Sequence, residues 1–187
     1  MFNKSYQCYV QSMTFSSKDD RSLTNITGFN QFNKTDSDVT SFIITGKNVN
    51  FFPRNITKFF KNIQHVSIGF TYIEKLTKYD LQQFRKKLTS FMLFGNSKFQ
   101  FIDKDLFQFT PNIETMEINE NKISLVNKGA FSNLTRLTFL NFFDFCHSGS
   151  ARNRSAVIAL TTTIEKKCSE LDTDNGPEGT TELPTTT

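Results

Sequence analysis

The sequence predicts an α/β solenoid, a stack of short parallel strands each followed by a helical or irregular return segment. Five hydrophobic segments begin at Val39, Ile63, Leu88, Ile113 and Leu137, spaced 24, 25, 25 and 24 residues apart. Each opens with an apolar residue, two free positions, an apolar residue, one free position and an apolar residue: VTSFII, IQHVSI, LTSFML, IETMEI, LTFLNF. Between them lie further apolar pairs, among them Phe59 and Phe60, Leu81 and Phe84, Phe107 and Phe109, Phe131 and Leu134. A fixed period carrying two kinds of segment is what stacked coils require.

Taken in order, residues 1–38 form an N-terminal cap. A terminal coil exposes an apolar edge that needs covering. Residues 6–28 hold two candidate strands, YQCYV and LTNITG, separated by the polar run SSKDDRS. The natural reading is a β-hairpin over the first coil. Asp36, Ser37 and Asp38 then read as a polar turn ahead of the first repeat, not as a cation site.

Residues 39–145 form the repeats. In VTSFII, Val39, Phe42 and Ile44 point inward and the positions between them point out, the alternation of a strand buried on one side. Asn96 and Asn121 occupy the ninth position of their coils, where an Asn amide bonds the backbone of a turn leaving the sheet. Apolar residues follow at the eleventh position (Val49, Ile73, Ile123) and the fourteenth (Phe52, Leu76, Val126). The chain has 22 Phe and no Trp. Phe on the return segments is expected to stack from coil to coil as core.

This pattern resembles the leucine-rich repeat family, L-x-x-L-x-L-x-x-N-x-L. The fourth repeat, IETMEINENKISLVNKGAFSNLTR, is similar to the 24-residue extracellular type, and GAFSNLTRL resembles the return segment of secreted members. Lys47, Thr71 and Phe145 depart from the family, standing where its Asn belongs. The resemblance implies a horseshoe with a parallel concave sheet. It also implies a non-enzymatic module binding a protein or peptide, as in adhesion, recognition or receptor ectodomains.

Residues 146–168 form a C-terminal cap. Val157, Leu160, Ile164 and Cys168 lie three or four residues apart, one stripe of a helix, with Ser155 or Asn153 as N-cap. A disulfide from Cys146 to Cys168 would pin that helix over the last coil, as the cysteine-bearing caps of the family imply. Cys8 is then left over, as an intermolecular link between copies or a small buried hydrophobe. Residues 169–187 read as a disordered Thr-rich tail, a stalk or linker.

Localisation rests on opposing signs. Met1 to Ser5 begin no apolar run, so no signal peptide is read; the chain is cytosolic or its start lies upstream. Glycosylation acceptors occur at Asn3, Asn25, Asn33, Asn55, Asn133 and Asn153, all outside the five strand motifs. Those sites and the tail favour an extracellular, secreted protein. No apolar run reaches the length of a membrane span.

Charge and chemistry exclude several classes. With 22 basic and 18 acidic residues the net charge is +4, too even to suggest nucleic acid or a membrane surface. Arg85, Lys86 and Lys87 read as a solvated return segment. His65 has no acid nearby in sequence, and Cys146 beside His147 lacks the free thiolate a nucleophile needs. No phosphate, metal or cofactor motif is present.

Function must then lie on the outward positions of the sheet. These are Ser41, Ile43 and Thr45; His65, Ser67 and Gly69; Ser90, Met92 and Phe94; Thr115, Glu117 and Asn119; and Phe139, Asn141 and Phe143. The ligand-binding candidates are Ile43, His65, Ser67, Met92, Phe94, Glu117, Asn119, Asn141 and Phe143, since aromatics and Met concentrate at interface centres. Phe139 and Phe143 have a second possibility, packing under the C-terminal cap. An assembly protein linked through Cys8 and an intracellular scaffold are the alternative functions.

Overall fold

The alternating apolar segments form one seven-stranded sheet in a computed structural model that describes residues 6–28 and 33–169. Its strands, in spatial order, are β1 (Tyr6–Val10), β2 (Val39–Thr45), β3 (His65–Gly69), β4 (Ser90–Phe94), β6 (Thr115–Asn119), β8 (Phe139–Asp144) and β9 (His147–Ala151). Neighbours from β1 to β8 pair parallel; β9 pairs antiparallel with β8. Ser41, His65, Ser90, Thr115 and Phe139 stand side by side, so the pairing register steps by the period of the sequence.

The return segments close each coil beneath this sheet. They contain α1 (Ile56–Phe59), α2 (Lys78–Leu81) and a second small parallel sheet of β5 (Phe101–Ile102) and β7 (Leu125–Val126). All fifteen inward strand residues, such as Val39, Phe42 and Ile44, are buried, and so are the eleventh- and fourteenth-position residues named above. In the third coil Phe99 and Ile102, displaced by one residue, fill those two places. The phenylalanines pack between coils: Phe52 meets Phe84 edge-on with centroids 6.2 Å apart, and Phe107 stacks on Phe131 at 6.2 Å. Such pairs add about 0.5–1.5 kcal/mol each beyond the area they bury.

A buried polar ladder runs along the end of the strands. Asn96 Oδ1 accepts from the Thr71 amide at 3.0 Å and the Thr71 hydroxyl at 2.7 Å. Asn96 Nδ2 donates to the carbonyls of Ile68 and Phe94 and, at 2.9 Å, to Asn121 Oδ1. Asn121 Nδ2 in turn donates to Leu93 O and, at 2.9 Å, to Asp144 Oδ2. Asp144 also accepts from the amides of Asn121, Ile123 and Phe145. Thr71 therefore takes part where Asn was missing, and in the fifth coil the role expected at Phe145 falls to Asp144. A carboxylate only accepts, so it suits the end of a chain of donors.

The expected N-terminal hairpin is not formed among the described residues. YQCYV joins the sheet as a parallel edge strand, while Leu23 to Gly28 form no strand; Ser22 makes only an isolated bridge to Arg54. Residues 6–28 thus add a further coil, with Tyr6, Cys8 and Val10 against the core. A strand continuing the ladder covers the first coil directly, which a hairpin across its end would do less completely. Buried Arg21 ties this coil onward: its Nη2 lies 3.0 Å from Asp80 Oδ1, an ionic contact and not an aligned hydrogen bond. Asp80 Oδ2 is held by the Thr77 amide and hydroxyl.

A hairpin instead closes the other end. β8 turns at Phe145 and Cys146 into β9, and α3 (Arg154–Lys167) packs on it with Val157, Ile164 and Cys168 buried. Asn153 caps α3, its Oδ1 accepting from the Ala156 amide at 2.9 Å. Cys146 and Cys168 are disulfide-bonded across 22 residues, a loop closure contributing about 3 kcal/mol.

Removing a ladder amide should be costly. Asn96→Ala leaves several buried groups unpaired and is expected to lower unfolding free energy by about 3 kcal/mol in urea denaturation. Asp144→Asn, which turns a donor toward donors, should cost more than the same change at exposed Asp36.

Candidate functional site

The open face of the sheet is built from alternate residues of successive strands, and the register sorts them into rows. Ile43, Ser67, Met92, Glu117 and Asn141 form one continuous row across five strands. Phe94, Asn119 and Phe143 lie in the next row, and His65 lies in the row on the other side. All nine sequence-derived candidates therefore share one face. Eight are half-buried by their neighbours, and Phe143 is 46% exposed. Phe139 is half-buried, with the Arg152 guanidinium 5.8 Å from its ring centre.

The face carries little ionisable chemistry. His65 stands beside Ser41 and Ser90, and burial holds its imidazole below the ordinary His pKa. Glu117 sits between Met92 and Asn141. Asn119 Oδ1 is buried without a hydrogen-bond partner among the described residues. Cys146 is committed to its disulfide, so the Cys-His neighbourhood holds no free thiol. Cys8 is half-buried, and burial, reinforced by Asp36, pushes its thiol pKa up.

Aromatic side chains dominate one end of this face. Gly69 makes room for Phe94: a Cβ built there would lie 2.2 Å from the Phe94 ring. Phe70 meets Phe94 edge-on with centroids 5.2 Å apart and an interplanar angle of 89°. Phe70 is 56% exposed, and its ring lies over Gly95, where a Cβ would come within 2.6 Å. Phe145, at the hairpin turn, is 72% exposed. Phe143 lies in the row of Phe94 with Asn119 of β6 between them, so the aromatic rim at this end of the sheet has two parts, Phe70 with Phe94 and Phe143 with Phe145 on the last coil.

Sequence reasoning missed Phe70 and Phe145. A signal for Phe70 was available. The eighth position of the first four coils is left-handed, at Gly46 (φ 114°), Phe70 (52°), Gly95 (64°) and Glu120 (55°). Two of the four are glycines, the residue that reaches this conformation without steric penalty. A bulky Phe there costs roughly 1–2 kcal/mol of backbone strain.

The glycosylation acceptors lie elsewhere. Asn25, Asn33, Asn55, Asn133 and Asn153 are all exposed and off the open face, while Asn3 falls outside the described residues. A glycan on Asn153 Nδ2 would leave Oδ1 free to cap α3. The Thr-rich tail beyond Ser169 also lies outside the described residues. Among the described residues no helix is long and apolar enough to cross a membrane.

Comparison with known proteins finds similarity to a family model and to solved structures. A family model described as leucine rich repeat matches residues 86–144. A solved structure of the Toll–Spatzle complex from Drosophila is similar at 14% identity and a TM-score of 0.49, over 58% of this chain and 14% of that one. No curated protein matches in sequence.

The seat of Phe94 gives a test. Gly69→Ala should displace the ring and cost about 1–2 kcal/mol in chemical denaturation, whereas Gly69→Ala in a Phe94→Ala background should cost clearly less. Equal costs in both backgrounds would mean that the two residues are uncoupled.

Proposed function

This chain is a member of the leucine-rich repeat family, and on that premise we propose that it is a secreted, non-enzymatic module that captures a protein or peptide ligand on the concave face of its sheet. The observation that carries the reading is Phe70. A large aromatic is held exposed in a left-handed conformation that glycine occupies without strain in the first and third coils. Strain kept at an exposed position points to use of the side chain it presents. Phe94, Phe143 and Phe145 extend that surface, and large rigid aromatics are the usual anchors of protein interfaces. Met92, with Ile43, adds adaptable apolar contact to a row that is otherwise polar at Ser67, Glu117 and Asn141.

Secretion is supported by the Cys146–Cys168 disulfide, which is characteristic of oxidising compartments, and by five exposed glycan acceptors that would leave the face open. Assembly through Cys8 is less well supported. Its side chain packs toward the core, and a raised thiol pKa leaves less of the thiolate that disulfide exchange requires. An intracellular scaffold would use the same face without the glycans.

Phe70→Gly separates binding from folding. Relief of backbone strain and loss of the contact with Phe94 are each about 1 kcal/mol, so the melting temperature should stay nearly unchanged. Affinity for a partner purified on the wild-type protein from extracellular fluid should fall about tenfold or more by calorimetry. Unaltered affinity, with Met92→Asp and Phe143→Asp equally silent, would remove the concave face as the binding surface.

A further inference from the structure

The even net charge of the chain conceals a segregated one. Residues 53–88 hold eight of the 22 basic residues and two of the 18 acidic ones. One of those acids, Asp80, is buried against Arg21 and is absent from the outer surface. The return segments of the first two coils therefore carry a concentrated positive field, which the overall balance does not reveal.

Folding gathers these cations around two adjoining depressions, of about 390 and 620 Å³. The smaller has Lys61, Arg85 and Lys87 on its walls and reaches Thr57 and Gln83. The larger is bordered by Arg85, Lys86 and Lys87, with Phe109 and Pro111 beside Gln82 and Gln108. No Asp or Glu lines either one. Among the described residues, none of Lys61, Arg85, Lys86 and Lys87 is ion-paired. Lys87 Nζ is used internally, donating to Lys61 O at 2.7 Å, which fixes the second coil to the first. Arg85, common to both depressions, is exposed and held at φ 47°, another strained non-glycine residue.

We propose that this flank binds a sulfated polysaccharide, a linear polyanion whose sulfates would sit on Lys61, Arg85 and Lys86 in turn. Two depressions in succession suit an extended chain better than one compact anion. Guanidinium and ammonium groups take the sulfates, and the Gln82 and Gln108 amides suit the hydroxyls between them. The inference rests on the extracellular part of the reading above, the setting in which such a polymer is met. It is independent of the concave face, because it uses none of its residues. A third depression, beside Arg54, also reaches Arg85 but is bordered by the glycan acceptor Asn55.

The test uses the full chain secreted from eukaryotic cells with its glycans. Its binding to an immobilised heparin dodecasaccharide is compared with binding to the desulfated dodecasaccharide by surface plasmon resonance. Wild-type protein should bind the sulfated form alone, and added salt should weaken that binding. R85E/K86E should weaken it about tenfold or more with an unchanged circular dichroism spectrum, and K128E/K166E should not. If R85E/K86E is not secreted, K61E serves in its place. Phe70→Gly should bind the oligosaccharide normally, so failure here and failure of the concave-face reading are distinguishable. The proposal is overturned by absent wild-type binding, equal binding to the desulfated form, or undiminished binding of the folded charge-reversal variant. Tighter binding to single-stranded RNA or to phosphatidylserine vesicles overturns it as well.

Discussion

The buried ladder from Thr71 through Asn96 and Asn121 to Asp144 is the constraint on which the rest of this molecule depends. A solenoid coil must turn its backbone sharply out of the sheet, and the turn leaves amides and carbonyls with no strand to pair with. Left unpaired in the core, each would cost about 1–3 kcal/mol. Here a side-chain oxygen one coil further on accepts from the turn amide, Asn96 for Thr71, Asn121 for Asn96 and Asp144 for Asn121, so the turns of the second, third and fourth coils are each held by the next. The left-handed residue of each coil immediately precedes the ladder position, at Phe70, Gly95 and Glu120. Fixing the ladder thus fixes the direction in which Phe70 leaves the backbone, and with it the aromatic rim. Fold and candidate site share one set of hydrogen bonds.

Most of the architecture was legible because it repeats. Val39, Phe42 and Ile44 and their counterparts were readable as inward from alternation alone, and the same count placed Ile43, Ser67, Met92, Glu117 and Asn141 in one outward row. What escaped was whatever the period does not encode. YQCYV is recognisably a strand, but nothing in five residues states whether its neighbour runs parallel or antiparallel. Asp144 could not be read as the end of the ladder, since the fifth coil turns back one residue early into β9. Phe145, placed by counting where the family's Asn belongs, is carried outward by that same turn.

Surface chemistry was legible only in part, for a related reason. A charge total averages over the chain, whereas binding responds to local field. Lys61 and Arg85 lie 24 residues apart in sequence and border one depression only because the coils stack at that period. Arg85, Lys86 and Lys87 alone look like an ordinary solvated segment. Stacked against Lys61, with Asp80 withdrawn into the core, they form an unneutralised surface. The repeat thus gathers unrelated side chains on both sides of the molecule, aromatic beside the sheet and cationic on the return segments.

Native-state amide hydrogen exchange, followed residue by residue with NMR, bears most directly on the ladder. If it holds the turns rigid, the amides of Thr71, Asn96, Asn121 and Ile123 will exchange as slowly as those within β3, β4 and β6, although they lie outside the strands. Phe70, whose amide donates to Phe94 O at 3.0 Å, will share that protection. Exchange at the rate of exposed loops would mean that the turns open independently of the sheet. The aromatic rim would then not be a pre-formed surface, and the ladder would not set the proposed binding face.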